Sequence, residues 1–437
     1  MMMTNINELA EGQIHDSHYL KSVTDLGDIR PIVANRDIHS TTGLKLISAG
    51  MKINSAVFER LLQHKLAPPL DQCLSTENMV TGQSLSAAAE KLMAKDKRLS
   101  SIQAVESEGW MLSFVIEQVP LTPAVAFKLT VMRDTQEDLF EHSLYVALVS
   151  IYIGMQQNFD KRELVDLATA ALLHDIGILH VDPKLLGREH RMTENERRHL
   201  YVHSVTAWLI LKAYPEYTTK VLEGVLHHHE RLDGSGYPRG LKAGEISLFG
   251  QVIAVAEIIA SRYTKEETEY GWSRLETILK LNLRRYGWNL VRHLKIFYAE
   301  EQENLPPCSE TDRQGAREKM TRISAIFAAW DIAKLGCNQK NPICAFLDER
   351  MTSLKMEVID AGLNPYVHDE NLLGIQEGAR ACFDARILLD ETLWQLHNVV
   401  QELRRRWVYV DADSENQEVR NIQAWLNEVS SLMGAKE

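Results

Sequence analysis

A mainly α-helical protein with a small α+β module near its N-terminal end is the fold this sequence predicts, and three observations point to it. Apolar residues from Ile102 onward recur at three- and four-residue intervals, the spacing of one helix face. The stretch from Ile29 to Leu66 reads instead as a hairpin followed by a short helix. Beyond an acidic, proline-bearing segment, Glu300 to Asp312, further helical patterns suggest an antiparallel bundle. At 437 residues the chain exceeds what one core usually organises, so two or three domains are expected.

Taken in order, residues 1–28 are polar and acidic and are expected to be disordered or loosely ordered. Residues 29–100 form the small module and a linker. Asp37-Ile38, a turn at Thr42-Gly43, then Leu44, Leu46 and a turn at Ala49-Gly50 outline the hairpin. Asn54 or Ser55 could cap the helix that carries Val57, Phe58, Leu61 and Leu62. Between Thr76 and Asp96 the small polar residues suit a linker or a short helix.

Residues 101–300 form the central helical domain. Leu164, Leu167, Ala168, Ala171 and Leu172 make an apolar stripe that ends near Gly177, placed as a C-terminal glycine. Thr193-Glu194-Asn195-Glu196 has the form of a capping box, which sets a helix start there. Residues 313–437 form the C-terminal bundle, with helices near 314–335, 343–361, 371–407 and 415–433. Its stripe Ala379, Phe383, Leu388, Trp394, Leu396, Val399, Val400 and Leu403 either packs within the chain or serves a homodimer or partner docking that regulates the catalytic domain.

Lysine and arginine number 48 against 60 acidic residues, a net charge of -12, which argues against duplex nucleic acid or an anionic membrane as main partner. No run approaches the roughly 18 apolar residues of a membrane span. The five cysteines form no close CxxC pair, so a reducing cytoplasm is expected.

Nine of the sixteen histidines fall between His142 and His229, about a fifth of the chain. Imidazoles and carboxylates are ordinary ligands of iron, manganese and zinc, and a di-metal site draws six or more of them from several helices. His174-Asp175 ends an apolar helix, and neighbours on a helix diverge by about 100°, so the pair can flank different ions. His203 lies seven residues after Glu196. His227, His228 and His229 precede Glu230-Arg231-Leu232-Asp233-Gly234-Ser235-Gly236-Tyr237-Pro238, a glycine-rich turn closed by Tyr-Pro.

From about Phe114 to Tyr298 the sequence resembles the HD-GYP family, a branch of the HD phosphohydrolases. The likeness rests on the His142 motif, HDIG at 174–177, His203, HHERLDGSGYP at 228–238 and VIAVAE at 252–257. The resemblance implies an HD-type helical bundle. It makes His142, His174, Asp175, His203, His228 and His229 metal ligands, with Asp175 bridging, and puts His174 and Asp175 at the catalytic centre. Glu257 stands where the family usually has aspartate, and Asp138 occupies the place of a third-metal carboxylate in some members. Two or three divalent ions are implied, iron or manganese first and zinc as a further fit.

The family activity is hydrolysis of cyclic di-GMP to pGpG and often GMP through a metal-bridging hydroxide. Gly236, Tyr237 and Pro238 are implied in substrate handling and in contacts with GGDEF-domain partners. Two departures bear on turnover. Where the family commonly reads HDIGK, Ile178 follows the glycine, and the family's Arg-Pro-Tyr-Arg region has no counterpart around Ala260 to Thr264. Lys184, Arg188, Arg231, Arg239 and Arg262 are the candidate substitutes for phosphate binding, Lys184 and Arg188 foremost. A non-catalytic cyclic di-GMP receptor and a phosphohydrolase for another nucleotide are the alternatives. His227 is expected to orient a ligand, and His180, His190 and His199 to face solvent or the substrate approach.

Overall fold

The structure is a computed structural model that describes residues 17–103, 112–187, 190, 192–263, 271–298, 305, 307–338, 340–366, 378–407, 410 and 416–433. The chain divides into two compact units, residues 3–267 with 292–297, and 268–291 with 298–437.

The first unit opens with a difference from expectation. Residues 1–16 lie outside the described residues, but Ser17–Ile29 is a helix, α1, which buries Tyr19, Leu20, Val23 and Leu26. Their spacing is that of one helix face, and the polar residues between them hide it in composition. Five short strands follow: β1 (Ile32–Ala34), β2 (Ile38–Ser40), β3 (Lys45–Ile47), β4 (Leu66–Ala67) and β5 (Leu74–Thr76). β2 and β3 form the expected hairpin with Ile38 opposite Ile47, β4 pairs with β2, and β1 pairs with β5 through Ala34 opposite Leu74. Asn54 caps a 3-10 turn that leads into the helix Phe58–Leu62.

The polar stretch after Thr76 is largely helix, not linker. Gly82–Lys95 (α2) starts at a Thr81 and Ser84 capping box and buries Leu85, Ala89, Leu92 and Met93. Next come α3 (Pro123–Thr135), α4 (Glu137–Gln156) and α5 (Lys161–Leu173), the last capped reciprocally by Asp160 and Glu163. The expected capping box at Thr193 starts α6 (Glu194–Tyr201), but that helix stops at Val202 and α7 (His203–Lys212) begins afresh. α8 (Thr219–His227) and α9 (Leu248–Tyr263) complete the unit's core, with α4 against α5 and α9, and α8 against α5, α7 and α9. α4 is buried along most of its length, from Ser143 to Gly154, which makes it the central post of this core.

The second unit begins at α10 (Gly271–Leu281), which packs on a helix of its own unit, α13 (Ala379–Arg406). Thr277 donates to Asp384, and Arg380 pairs with Glu276. Around them stand α11 (Glu310–Ala333), α12 (Pro342–Asp360) and α14 (Gln417–Met433). Leu388, Leu396, Val399, Val400 and Leu403 are buried inside this bundle, whereas Trp394 is 54% exposed. Residues 371–377, where the third of the four helical patterns of this region was expected to begin, lie outside the described residues. Cys308 pairs with Cys382 and Cys337 with Cys344, while Cys73 is buried and free. Sequence spacing did not show these pairings, the first of which joins positions 74 residues apart, and the expected reducing compartment did not include them. Among the described residues no helix is long and apolar enough to cross a membrane.

Candidate metal centre

Five helices, by their ends or faces, bring the motif residues together. His142 lies on α4, and His174 terminates α5 with Asp175 directly after it. His203 is the first residue of α7, His228 terminates α8 with His229 after it, and Glu257 lies on α9. The ligand atoms of His142, His174, Asp175 and Glu257 all lie within 4.8 Å of one another, and so do those of Asp175, His203, His228 and His229. Asp175 is common to both groups. One of its oxygens stands 3.2 Å from His174 Nε2, and the other 3.2 Å from His203 Nε2 and 3.8 Å from His228 Nε2.

The backbone decides which imidazole nitrogen faces inward. His174 Nδ1 is 2.7 Å from the Ala171 carbonyl, His203 Nδ1 2.6 Å from that of Leu200, and His228 Nδ1 2.6 Å from that of Val225. A carbonyl only accepts, so each Nδ1–H donates and each Nε2 turns its remaining position into the cluster. His203 Nε2 then lies 3.3 Å from His228 Nε2 and 3.1 Å from His229 Nε2. Convergent lone pairs at such distances repel unless a cation stands among them. Nitrogen-rich donors with a shared carboxylate suit a divalent ion such as iron, manganese or zinc, so these residues fit the metals that the motifs imply.

Charge couples the residues of the cluster closely to one another. Burial pushes the His174 imidazole down, but Asp175 and Glu257 beside it outweigh burial and hold it well above its usual range. Burial raises Asp175, and the neighbouring His174 and His203 more than reverse this, holding the carboxyl well below its usual range. Glu257 is likewise held low against burial by His229, His142 and His174, with its Oε1 2.9 Å from His174 Nε2. Burial, with His174 and His203 adding to it, depresses His228 to about 3, so it is a free base at neutral pH.

The glycine-rich turn folds back against the histidines. A Cβ on Gly236 would stand 2.5 Å from the His229 carbonyl and 2.4 Å from Glu230 Cα, so only glycine allows this approach. Tyr237 stacks on the His229 ring at 4.5 Å and on Tyr201 at 4.1 Å, and the Tyr237-Pro238 bond is cis. Buried Glu230 holds the turn by accepting from the backbone N–H groups of Arg239 and Leu241.

Several expectations are placed elsewhere. Asp138 is exposed in the first turn of α4 and belongs to neither ligand group. Lys184 is exposed on the 3-10 turn Pro183–Leu186, Arg188 lies outside the described residues, and Arg231 donates to the carbonyls of His228 and Glu230. Gly177 does not cap α5 in a left-handed turn. It lies inside a 3-10 turn, Ile176–His180, where a Cβ would stand 2.1 Å from the His203 carbonyl. Among the described residues His227 makes no hydrogen bond to a ligand candidate: its Nδ1 accepts from the Ser247 N–H ahead of α9, and burial together with Arg239 lowers it to about 4. Tyr201 and Glu230 were missed as functional candidates. Glu230 sits inside the quoted motif, but a single helix pattern carries no sign of Tyr201's stacking.

Comparison with known proteins bears on the same segment, since residues 129–268 match the family model of the HD domain. A cyclic di-GMP phosphodiesterase of Pseudomonas aeruginosa, PA4108, is 26% identical over 198 residues, 45% of this chain and 48% of that protein. The 3′3′-cGAMP-specific phosphodiesterase 3 of Vibrio cholerae is 30% identical over 205 residues, 45% of this chain and 44% of its own. The 3′3′-cGAMP-specific phosphodiesterase 1 of Vibrio cholerae is 34% identical over 119 residues, 27% of each chain. This chain therefore spans less than half the length of these curated relatives. A solved HDG"Y"P protein from Bdellovibrio bacteriovorus aligns over 61% of this chain and 92% of its own at 14% identity with a TM-score of 0.35, too loose to bear on the fold.

Proposed function

We propose that this HD domain is the centre of a metal-dependent phosphodiesterase acting on a cyclic dinucleotide, cyclic di-GMP first, with pGpG and GMP as products. The observation that carries the reading is Asp175, one carboxylate whose two oxygens face two separate nitrogen-rich groups. His142, His174, Asp175 and Glu257 would hold one ion, and Asp175, His203, His228 and His229 the other. Two such ions supply, when bound, a water acidic enough to give a nucleophile at neutral pH and positive charge for the phosphodiester.

The protein's own part is orientation. The carbonyls of Ala171, Leu200 and Val225 fix three imidazoles in the ligating tautomer. Gly236, Tyr237 and Pro238 form the rim beside His229, where substrate and a GGDEF-domain partner would meet the domain. Lys184 and Arg188 remain the cations proposed for the substrate phosphates. The names of the relatives support a cyclic dinucleotide and leave 3′3′-cGAMP beside cyclic di-GMP.

One observation favours a second reading, a receptor that binds without cutting. Ile178 is 6% exposed where the resemblance expects lysine, so that position offers the phosphate no ammonium. Metal-loaded full-length protein incubated separately with cyclic di-GMP and 3′3′-cGAMP, then resolved by chromatography, tests both. Linear dinucleotide or mononucleotide from either supports the enzyme, and the faster substrate names its specificity. Tight binding with no product supports the receptor, and neither binding nor product overturns both.

A further inference from the structure

Among the described residues of the first unit, Lys128 is the one buried lysine or arginine, 3% exposed on α3 with Ala124 to Met132 buried around it. An ammonium in such surroundings is costly unless electron-rich groups replace its water. Three different elements supply them. The Nζ lies 3.4 Å from His180 Nε2, 3.9 Å from an Asp71 carboxylate oxygen and 3.7 Å from the centre of the Tyr19 ring. Tyr19 belongs to α1, and Asp71 to the 3-10 turn Leu70–Gln72 just ahead of β5. The Tyr19 and His180 rings themselves lie 4.9 Å apart. An ammonium only donates, so His180 accepts at Nε2.

His180 ends the 3-10 turn Ile176–His180, whose N-cap is Asp175. The same turn is fixed on another side by Gly177, packed against the carbonyl of His203 at the start of α7. Asp175 is thus followed by one short turn gripped at two points, by α7 at Gly177 and by Lys128 at His180. Ligand distances tolerate only about 0.2 Å, and Asp175 must satisfy two ligand groups at once.

We propose that Lys128 is a positioning residue for the metal centre, through which Tyr19 and Asp71 of the N-terminal segment set the place of Asp175. The proposal rests on the metal-centre reading above. It gives the segment before the HD domain a direct mechanical hold on the ligand shared by both ions.

The test is calorimetric titration of Mn2+ into the metal-free full-length protein, with thermal unfolding of the same metal-free samples beside it. Lys128→Met keeps the length of the side chain and removes its charge. It is expected to weaken Mn2+ binding about tenfold, the lower end of the cost of losing a partner that orients metal ligands. Tyr19→Leu is expected to shift affinity in the same direction by less, and Lys128→Arg to recover part of the loss. A lower melting temperature with unchanged Mn2+ affinity would make Lys128 a merely structural residue and overturn the proposal. Should Lys128→Met fail to fold, Tyr19→Leu decides by the same criterion. No Mn2+ uptake by the wild type would overturn the metal reading and the proposal with it, whereas uptake that no variant alters overturns the proposal alone.

Discussion

In the C-terminal unit, Arg350 and Glu402 are both buried and meet at 3.2 Å, and Arg406 pairs with the same carboxylate. The guanidinium groups of Arg350 and Arg406 lie over the Phe346 ring, at 5.4 and 4.9 Å from its centre. Around Asp175, by contrast, five histidines and two carboxylates converge, and three imidazole nitrogens face one another across 3.1–3.3 Å. Opposite charges in the first region complete each other. In the second the Nε2 atoms of His203, His228 and His229 face one another with no opposite charge between them, and they need a cation from outside. Buried polarity that closes on itself is architecture, whereas buried polarity that stays open marks a site.

The contrast predicts opposite responses to substitution. The largest effect is expected at the open cluster, where Asp175→Ala removes the ligand shared by both groups. Metal content measured by elemental analysis should fall more than about a hundredfold in affinity terms, beyond the 10–100-fold cost of losing an orienting partner. Helical content by circular dichroism should hold, since Leu164 to Leu173 bury α5 without it. Wild-type metal content in that variant would mean that the site has been misassigned.

At the closed network the loss should appear in stability alone. Arg350→Ala leaves Glu402 buried with less compensation, and breaking such a pair typically costs about 3–5 kcal/mol. Chemical denaturation should report that loss, while Mn2+ affinity of the folded protein stays unchanged. A change in metal affinity without loss of stability would dissolve the contrast between the two regions.

How far the sequence disclosed this contrast depends on distance along the chain. His142, His174, Asp175, His203, His228, His229 and Glu257 stood out because each lies at the end or on the face of a strongly patterned helix, within recognisable short motifs. Lys128 did not, since its partners Tyr19, Asp71 and His180 are 109, 57 and 52 positions away and no periodicity links them. In the sequence the helix α2 stays open between linker and short helix because its capping box closes with Ser84 rather than an acid, and its serines and alanines resemble a linker. The break at Val202, which makes His203 a first helical residue, is also silent in a pattern that continues through it.

Ile178 sharpens the comparison at a smaller scale. The resemblance suggests that a lysine there would help the reaction, but the isoleucine is buried. Ile178→Lys removes apolar burial worth about 1.5–3 kcal/mol, so reduced stability without faster hydrolysis is the expected result. Faster hydrolysis at wild-type stability would show that this position opens onto the substrate.

The smallest effect belongs to the surface. Lys220 donates to Glu163 at 2.9 Å, and this bond, with the Asp160 N–H, holds the Glu163 carboxyl below its usual range. A depressed folded-state value adds stability above the unfolded value, which disappears as pH falls through the folded one. Because the pair is exposed, Glu163→Gln should cost only about 0.2–1 kcal/mol at neutral pH. The difference from wild type should vanish in acid below the ordinary carboxylate range, as read by denaturant midpoints across pH.

Metal stoichiometry of the full-length protein, purified anaerobically and measured by elemental analysis, bears most directly on the central claim that one shared carboxylate organises two ions. Close to two divalent ions per chain, with both lost together in Asp175→Ala, is the predicted result. A wild-type chain that takes up no metal under metal-replete conditions, or an Asp175→Ala chain that keeps both ions, would contradict it.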